Sequence, residues 1–199
     1  MSAVTDIDAV CVYCGSSAGT LPEHASAAEE LGRSLAGAGL TVVYGGGAVG
    51  LMGRVADAAI DAGGRVVGVI PEGLFAREIG HQGLNKLHEV GSMHERKQLM
   101  YDLADAFVAL PGGFGTLEEL AEITTWAQLG MHQKPIVIVN LDGFWDALLQ
   151  QLDRMVDAGL LKPQNRALIV DVDRVDQVFG ALDTYSAPFV KKWITEAET

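Results

Sequence analysis

Basic residues, cysteines and long apolar runs are all scarce in this 199-residue chain. Fourteen Lys and Arg face 26 Asp and Glu, so the net charge is −12. Such a surface repels polyanions except at a local basic pocket, which excludes a general nucleic-acid binder and a protein held on anionic lipid by charge. No apolar run reaches the ~20 residues of a membrane span, and residues 1–7 lack the layout of a secretory signal. The sequence predicts a cytoplasmic protein with no nucleic-acid or membrane partner.

The only two cysteines, Cys11 and Cys14, form a C-x-x-C pair. Redox or zinc chemistry needs both sulfurs to converge. The surrounding residues 9–13 are typical of a strand, in which positions three apart face opposite sides. No second C-x-x-C and no histidine pair at ligand spacing accompany them. We therefore expect buried, reduced cysteines and no metal site.

Apolar residues make up 49% of the chain, which is enough for a full core. Short, nearly continuous apolar runs alternate with longer amphipathic stretches, as expected when each strand is covered on both faces. The pattern predicts one doubly wound, Rossmann-like α/β domain over residues 1–185, with a parallel sheet between two helical layers and a tail at 186–199. Strands are predicted at 8–13, 40–44, 65–70, 87–90, 106–110, 135–140 and 167–171. Helices are predicted at 22–38, 51–62, 93–104, 117–129, 144–158 and 174–185.

Glycine collects where three predicted strands end, in residues 14–19, 45–50 and 111–116. Ligands of doubly wound sheets bind beyond the carboxyl ends of the strands. Glycine lets backbone N–H groups approach a ligand, and the following helix offers its positive end to an anion. Turns between strands and helices need some glycine anyway, but three such turns on one edge predict a nucleotide-like site. Its expected contacts here are Gly15, Ser16, Gly45 and Gly46.

Three nucleotide or catalytic motifs are excluded or unsupported. Residues 45–50 fit G-x-G-x-x-G but follow the second strand, whereas the dinucleotide fingerprint follows the first. Residues 15–19 fit G-x-S-x-G, but a hydrolase of that kind needs earlier strands and a late histidine, and His132 is the last histidine. No G-x-x-x-x-G-K-[ST] occurs, which excludes a P-loop.

Residues 93–97, M-H-E-R-K, place Arg96 and Lys97 at the start of a predicted helix. The helix dipole disfavours positive charge there, so nearby anions are needed. Those anions can be a ligand phosphate, a carboxylate or both. The alternative is a solvated helix surface.

Residues 111–119, P-G-G-F-G-T-L-E-E, place Glu119 in the first turn of the next predicted helix. Glu119 and Glu122 lie three positions apart and are expected to share a face, with Glu118 pointing elsewhere. The alternative for Glu119 is a capping box with Thr116, in which both side chains satisfy backbone N–H groups. Because both charged segments open helices at the predicted ligand edge, we favour a role in binding or catalysis.

These two segments resemble the Lonely Guy (LOG) family of cytokinin-activating phosphoribohydrolases, whose relatives were long labelled possible lysine decarboxylases. The family pattern P-G-G-x-G-T-x-x-E is matched by residues 111–119 and M-H-x-R-K by residues 93–97, and the similarity spans about residues 8–185. The resemblance implies hydrolysis of the N-glycosidic bond in adenine-type nucleoside 5′-monophosphates, to free base and ribose 5-phosphate. It also implies a homodimer that uses no metal or organic cofactor.

By the same resemblance, Arg96 and Glu119 are the catalytic pair. A carboxylate near the anomeric carbon can stabilise a cation-like ribosyl group and orient water. Arg96 stays protonated and so fixes its partners rather than donating a proton. The base needs a proton or hydrogen bond to leave, and Glu78 is a candidate for that group. The expected nucleotide contacts are Glu78, Met93, Lys97, Gly112, Gly113, Phe114, Gly115, Thr116, Glu122 and Thr125.

Two other functions stay open at this point. A non-catalytic nucleotide or cofactor carrier would use the same glycines. A pyridoxal-phosphate lysine decarboxylase would need a lysine for the imine, and no lysine combines a clear strand-end setting with a recognisable partner for the pyridine nitrogen. The candidates are Lys86, Lys97, Lys134, Lys162, Lys191 and Lys192.

A further group of apolar residues near the charged segments is compatible with either core packing or a dimer interface. These are Leu99, Met100, Tyr101, Trp126, Leu129 and Met131.

Overall fold

Seven strands form one parallel sheet in the computed structural model, which describes residues 7–73 and 80–188. The sheet order is β4-β3-β2-β1-β5-β6-β7, and every neighbouring pair runs parallel. The central strands are short and wholly buried, because helices cover both faces. The strands are β1 (Ala9–Tyr13), β2 (Thr41–Tyr44), β3 (Val66–Pro71), β4 (Lys86–Val90), β5 (Ala106–Ala109), β6 (Ile136–Val139) and β7 (Ile169–Val172).

The helices form two layers, one on each face of the sheet. Within the described residues they are α1 (Pro22–Gly37), α2 (Gly50–Asp61), α3 (Met93–Leu103), α4 (Phe114–Gln128), α5 (Asp146–Asp157), α6 (Pro163–Arg166) and α7 (Val178–Thr184). Apolar side chains of α1, α2 and α7 fill one core, and those of α3, α4 and α5 fill the other. The predicted doubly wound α/β fold is confirmed. None of these described helices combines the length and apolarity that crossing a bilayer requires.

Alternation along β1 separates the two cysteines. Cys11 packs in the core beneath α3 and α4, whereas Cys14 packs in the core beneath α1 and α2. Both are buried and free, and burial raises the pKa of each thiol well above its usual range. The prediction of buried, reduced cysteines is therefore confirmed.

Several helix ends differ from their predicted positions. The helix predicted at 117–129 begins three residues earlier, at Phe114, and Gly113 is its N-cap residue. The stretch predicted as a helix at 174–185 divides into a 3-10 helix (Val175–Gln177) and α7. A second 3-10 helix (Leu141–Gly143) precedes α5, and α6 was not predicted. The two 3-10 helices and α6 are only three or four residues long, so they leave little periodic signal in the sequence.

Close backbone contacts hold three loops together at one edge of the sheet. The Gly15 N–H donates to the Pro111 carbonyl at 3.1 Å, which joins the turns after β1 and β5. The Gly15 carbonyl accepts from the N–H groups of Leu51 and Met52, at 3.0 and 3.3 Å, so α2 begins against the same turn. The three glycine-rich turns are thus parts of one connected surface.

The packing of α1 on α2 depends on Gly32. A Cβ placed on Gly32 would lie 2.3 Å from the Val55 carbonyl oxygen, so any larger residue forces the two helices apart. A Cβ on Gly37, in the same helix, would meet no atom within 4 Å. The two glycines therefore form a matched pair for testing this contact.

We expect Gly32→Ala to lower the free energy of unfolding by about 1–3 kcal/mol, the usual cost of overpacking. Gly37→Ala should leave stability unchanged or raise it by up to about 1 kcal/mol, since alanine is the better helix former. Urea denaturation followed by circular dichroism measures both. Equal effects of the two substitutions would contradict the close helix contact.

Candidate active site

The strand order reverses at β1, which lies between β2 and β5. In doubly wound sheets, this point of reversal is where ligands bind. A cleft of about 250 Å³ lies there, at the carboxyl ends of β1 and β5. It brings together four of the predicted contacts, Gly15, Ser16, Gly112 and Gly113.

The first turn of α4 faces this cleft with its backbone amides uncapped. Its N-cap residue, Gly113, has no side chain, and helix N-terminal N–H groups lack intrahelical acceptors. Gly112 lies directly over Thr116, since a Cβ at Gly112 would be 2.1 Å from the Thr116 hydroxyl oxygen. The Thr116 side chain is buried inside the turn and does not cap the helix, so the capping-box interpretation of Thr116 and Glu119 is wrong. The arrangement is suited to holding an anion.

Arg96 is buried, with only 7% of its surface exposed. Its Nη2 atom donates to the Gly45 carbonyl at 3.3 Å and lies 3.8 Å from Glu119 Oε1, and its Nη1 atom contacts Met93 Sδ at 3.8 Å. A Cβ at Gly45 would lie 1.9 Å from Nη2, so the guanidinium fits only because this residue is glycine. The Arg96 Nε atom is buried and has no hydrogen-bond partner in the described part of the chain. One guanidinium donor is thus left without a protein partner among the described residues.

Glu119 is 8% exposed and faces Arg96 from α4. Burial raises the pKa of its carboxyl group from the usual 4.5 to about 7, while the Arg96 charge opposes that rise. The neighbouring Glu118 raises the same pKa further and Lys97 lowers it. Glu119 can therefore gain or lose a proton near neutral pH, as acid–base and electrostatic catalysts do.

Lys97 is held between two carboxylates on α4. Its Nζ atom donates to Glu118 and, at 2.9 Å, to Glu122. Burial lowers the pKa of Lys97, but the hydrogen bonds to both carboxylates outweigh burial, so the pKa is raised. This ammonium group is a stable cation that joins α3 to α4.

The alternative for Arg96 and Lys97, a solvated helix surface, is wrong, because both residues are buried. The expectation for Glu118 is wrong as well. Glu118 shares a face with Glu122 rather than pointing elsewhere, since residues four apart on a helix are neighbours. The four-residue spacing of these glutamates in the sequence could have predicted that they share a helix face.

The remaining predicted contacts are spread more widely. Gly46 packs toward Ile70 and Leu87, and its carbonyl accepts from the His81 N–H at 3.1 Å, so it supports β3 and β4 instead of lining the cleft. The exposed Thr125 lies one and a half turns along α4 from Glu119 and donates to the Ala121 carbonyl. Phe114 is 91% exposed beside the likewise exposed Gly115. Glu78 lies outside the described residues.

Two cleft residues with ring side chains were not predicted. His24, in the first turn of α1, and Phe144, after the 3-10 helix Leu141–Gly143, line the same cleft as the glycine turns. His24 follows the first glycine-rich turn by five residues, which was the available signal. No comparable pattern marks Phe144.

Comparison with known proteins identifies the family and the relatives to which this chain is similar. Residues 52–182 match the family described as possible lysine decarboxylase. A probable cytokinin riboside 5′-monophosphate phosphoribohydrolase of Oryza sativa subsp. japonica is 47% identical over 176 residues, covering 88% of this chain and 78% of the relative. A cytokinin riboside 5′-monophosphate phosphoribohydrolase of Arabidopsis thaliana is 46% identical over 180 residues, covering 90% of this chain and 83% of the relative.

Among solved structures, the fold is similar to that of the molybdenum cofactor carrier protein of Chlamydomonas reinhardtii. The TM-score is 0.66 at 22% identity, covering 87% of this chain and 94% of the other. At that level of identity the likeness supports the fold alone.

The titration of Glu119 tests the electrostatics of the site. We expect its pKa near 7, and a higher value in Arg96→Met, because the lost guanidinium charge no longer favours the carboxylate. Carboxyl ¹³C shifts of glutamate-labelled protein give the pKa, with Glu119→Gln identifying the signal. A pKa near 4.5 in both proteins would show that burial does not control this group.

Proposed function

This chain belongs to the Lonely Guy (LOG) family, and we propose that it hydrolyses the N-glycosidic bond of adenine-type riboside 5′-monophosphates, including N6-modified cytokinin nucleotides. The products are the free base and ribose 5-phosphate. The observation that carries this proposal is the buried Glu119–Arg96 pair beside the uncapped start of α4. An electropositive amide cradle and a buried carboxylate match the two charged ends of a nucleotide undergoing this reaction.

In this mechanism, the bond from the ribose anomeric carbon to the base nitrogen breaks as water adds to that carbon. Positive charge develops on the ribosyl group, and the Glu119 carboxylate stabilises it. Burial strengthens this interaction, because little water screens it. Glu119 also orients the attacking water, which leaves its oxygen and one hydrogen on the ribose as the new hydroxyl, and the proton that it loses balances the one gained by the departing base.

Arg96 fixes Glu119 and offers its Nε donor to the ribose or phosphate. The departing base needs a proton or hydrogen bond, and Glu78 stays the proposed source. The amides from Gly112 to Thr116 and the hydroxyl of Ser16 hold the 5′-phosphate. Further proposed contacts, on the family resemblance, are Met93, Lys97, Glu122 and Thr125.

The geometry favours hydrolysis over an imine-forming decarboxylase. An imine requires an unprotonated lysine amine, and Lys97 is held as a cation by two carboxylates. Lys134 donates to the Tyr101 carbonyl at 2.8 Å and lies over the Tyr101 ring, so it is engaged in holding α3. Only the formation of free base distinguishes a hydrolase from a carrier, because a carrier binds AMP without releasing adenine.

The central test is the release of free base from AMP and from an N6-prenylated analogue, measured by chromatography. Because Glu119 must be ionised, kcat/KM should rise with pH through about 7 and then level off. Glu119→Gln and Arg96→Ala should retain the fold and lose activity by about 10²–10³-fold, as expected for removal of a charge-stabilising group.

Glu30→Gln, an exposed glutamate on α1, is the matched control and should retain full activity. If Glu119→Gln unfolds the protein while activity per folded molecule stays normal, Glu119 is structural and the proposal fails. Binding of AMP without release of base by the unmodified protein would support the carrier instead.

We also propose a homodimer formed through α3 and α4. Met100 is core at 1% exposure and does not belong to an interface, whereas the half-buried Tyr101 packs against the second core and stacks on Phe107. Leu99 and Trp126 instead line an open groove of about 600 Å³ between the helices. Met93 and Phe114, the first residues of α3 and α4, and Met131, just after α4, are further exposed apolar residues.

Sedimentation equilibrium should give twice the chain mass of 21.1 kDa. Leu99→Arg should shift the protein toward the monomer, because the charge would be buried in the interface. A monomeric mass for the unmodified protein at micromolar concentration would contradict the proposed dimer.

A further inference from the structure

The imidazole of His24 is buried in the cleft without a hydrogen-bond partner. His24 is 8% exposed and lines the cleft, and neither ring nitrogen has a hydrogen-bond partner among the described residues. These nitrogens are not sealed from solvent, so water in the cleft reaches them and a ligand can replace that water. His24 differs in this respect from His132, whose ring nitrogens bond to the Ile123 carbonyl and the Lys134 N–H. The ring of His24 is therefore available to a ligand.

The surroundings of His24 fix its ring in place. His24 lies in the first turn of α1, and Phe144 packs edge-on against it with ring centroids 5.6 Å apart and an angle of 86°. Its Nδ1 atom lies 3.6 Å from the position that a Cβ would take at Gly19, where φ is +72°. The glycine at this left-handed position leaves the nitrogen edge of the ring unobstructed.

The cleft brings the start of α4 and His24 to one space of about 250 Å³. A phosphate group at the uncapped amides of α4 would occupy part of this space. The same space is bordered by the turn after β1 and by His24.

We propose that His24 is a positioning residue that donates a hydrogen bond to the 5′-phosphate of the nucleotide. This inference rests on the proposed function and adds a specificity determinant to it: His24 makes the enzyme select nucleoside monophosphates over nucleosides. Two independent observations support it, the uncapped start of α4 and an unpartnered, buried imidazole in the same cleft. The alternative is that His24 only packs against Phe144.

The test compares ligands with and without the phosphate. AMP, ribose 5-phosphate and adenosine are titrated into the unmodified protein, His24→Phe and His24→Gln by calorimetry. His24→Phe keeps an aromatic ring against Phe144 but removes both nitrogens, so it should weaken binding of AMP and ribose 5-phosphate about tenfold or more. Adenosine affinity should not change. His24→Gln retains a donor and should recover part of the loss.

In turnover, KM for AMP should rise in His24→Phe with a smaller change in kcat, because the lost contact is distant from the bond that breaks. His88→Phe, on the edge strand β4, is the matched control and should behave as the unmodified protein. If His24→Phe does not fold, His24→Leu replaces it, with circular dichroism and Tm confirming the fold of each variant.

The results separate this inference from the proposed function. Equal losses for AMP and adenosine, or no loss for either, would overturn the role of His24 while base release by the unmodified protein still supports hydrolysis. If the unmodified protein binds AMP through His24 but releases no base, the proposed function fails and the phosphate contact stands.

Discussion

The ion pair between Glu119 and Arg96 is the interaction on which the rest of the site depends. At 3.8 Å, two unit charges attract by about 4 kcal/mol for an effective dielectric constant of about 20. Removing each ion from water costs several kcal/mol. The attraction therefore does little more than offset desolvation, and the pair is a weak source of stability. The raised pKa of Glu119 and the unpartnered Nε atom of Arg96 instead suit the pair to binding a ligand.

Three glycines leave the space that the side chains and backbone of this site occupy. Gly45 leaves room for the Arg96 guanidinium, and Gly112 leaves room for the Thr116 hydroxyl beneath the start of α4. Gly50, at φ +65°, lets α2 approach the Ser16 backbone, where a Cβ would come within 2.2 Å. These contacts bring the ends of β1, β2 and β5 together. A larger side chain at any of the three positions would separate the proposed phosphate cradle from the proposed catalytic pair.

The sequence predicted the sheet and both helical layers, because apolar periodicity depends on local chemistry. It also proposed a site at the glycine-rich turns with Arg96 and Glu119 as its catalytic pair, and the structure brings these two side chains together. It did not predict that Lys97 binds Glu118 and Glu122 together, since that depends on how α3 packs against α4. His24 and Phe144 were missed for the same reason. They come from distant parts of the chain, and only the folded sheet brings them together at the cleft.

The most direct test of the central claim is a crystal structure of Glu119→Gln with AMP bound. We expect the phosphate on the amides of Gly112 to Thr116, with the side chain at position 119 beside the anomeric carbon of the ribose and Arg96 in contact with the nucleotide. A nucleotide bound elsewhere, with residue 119 and Arg96 remote from the ribose, would contradict it.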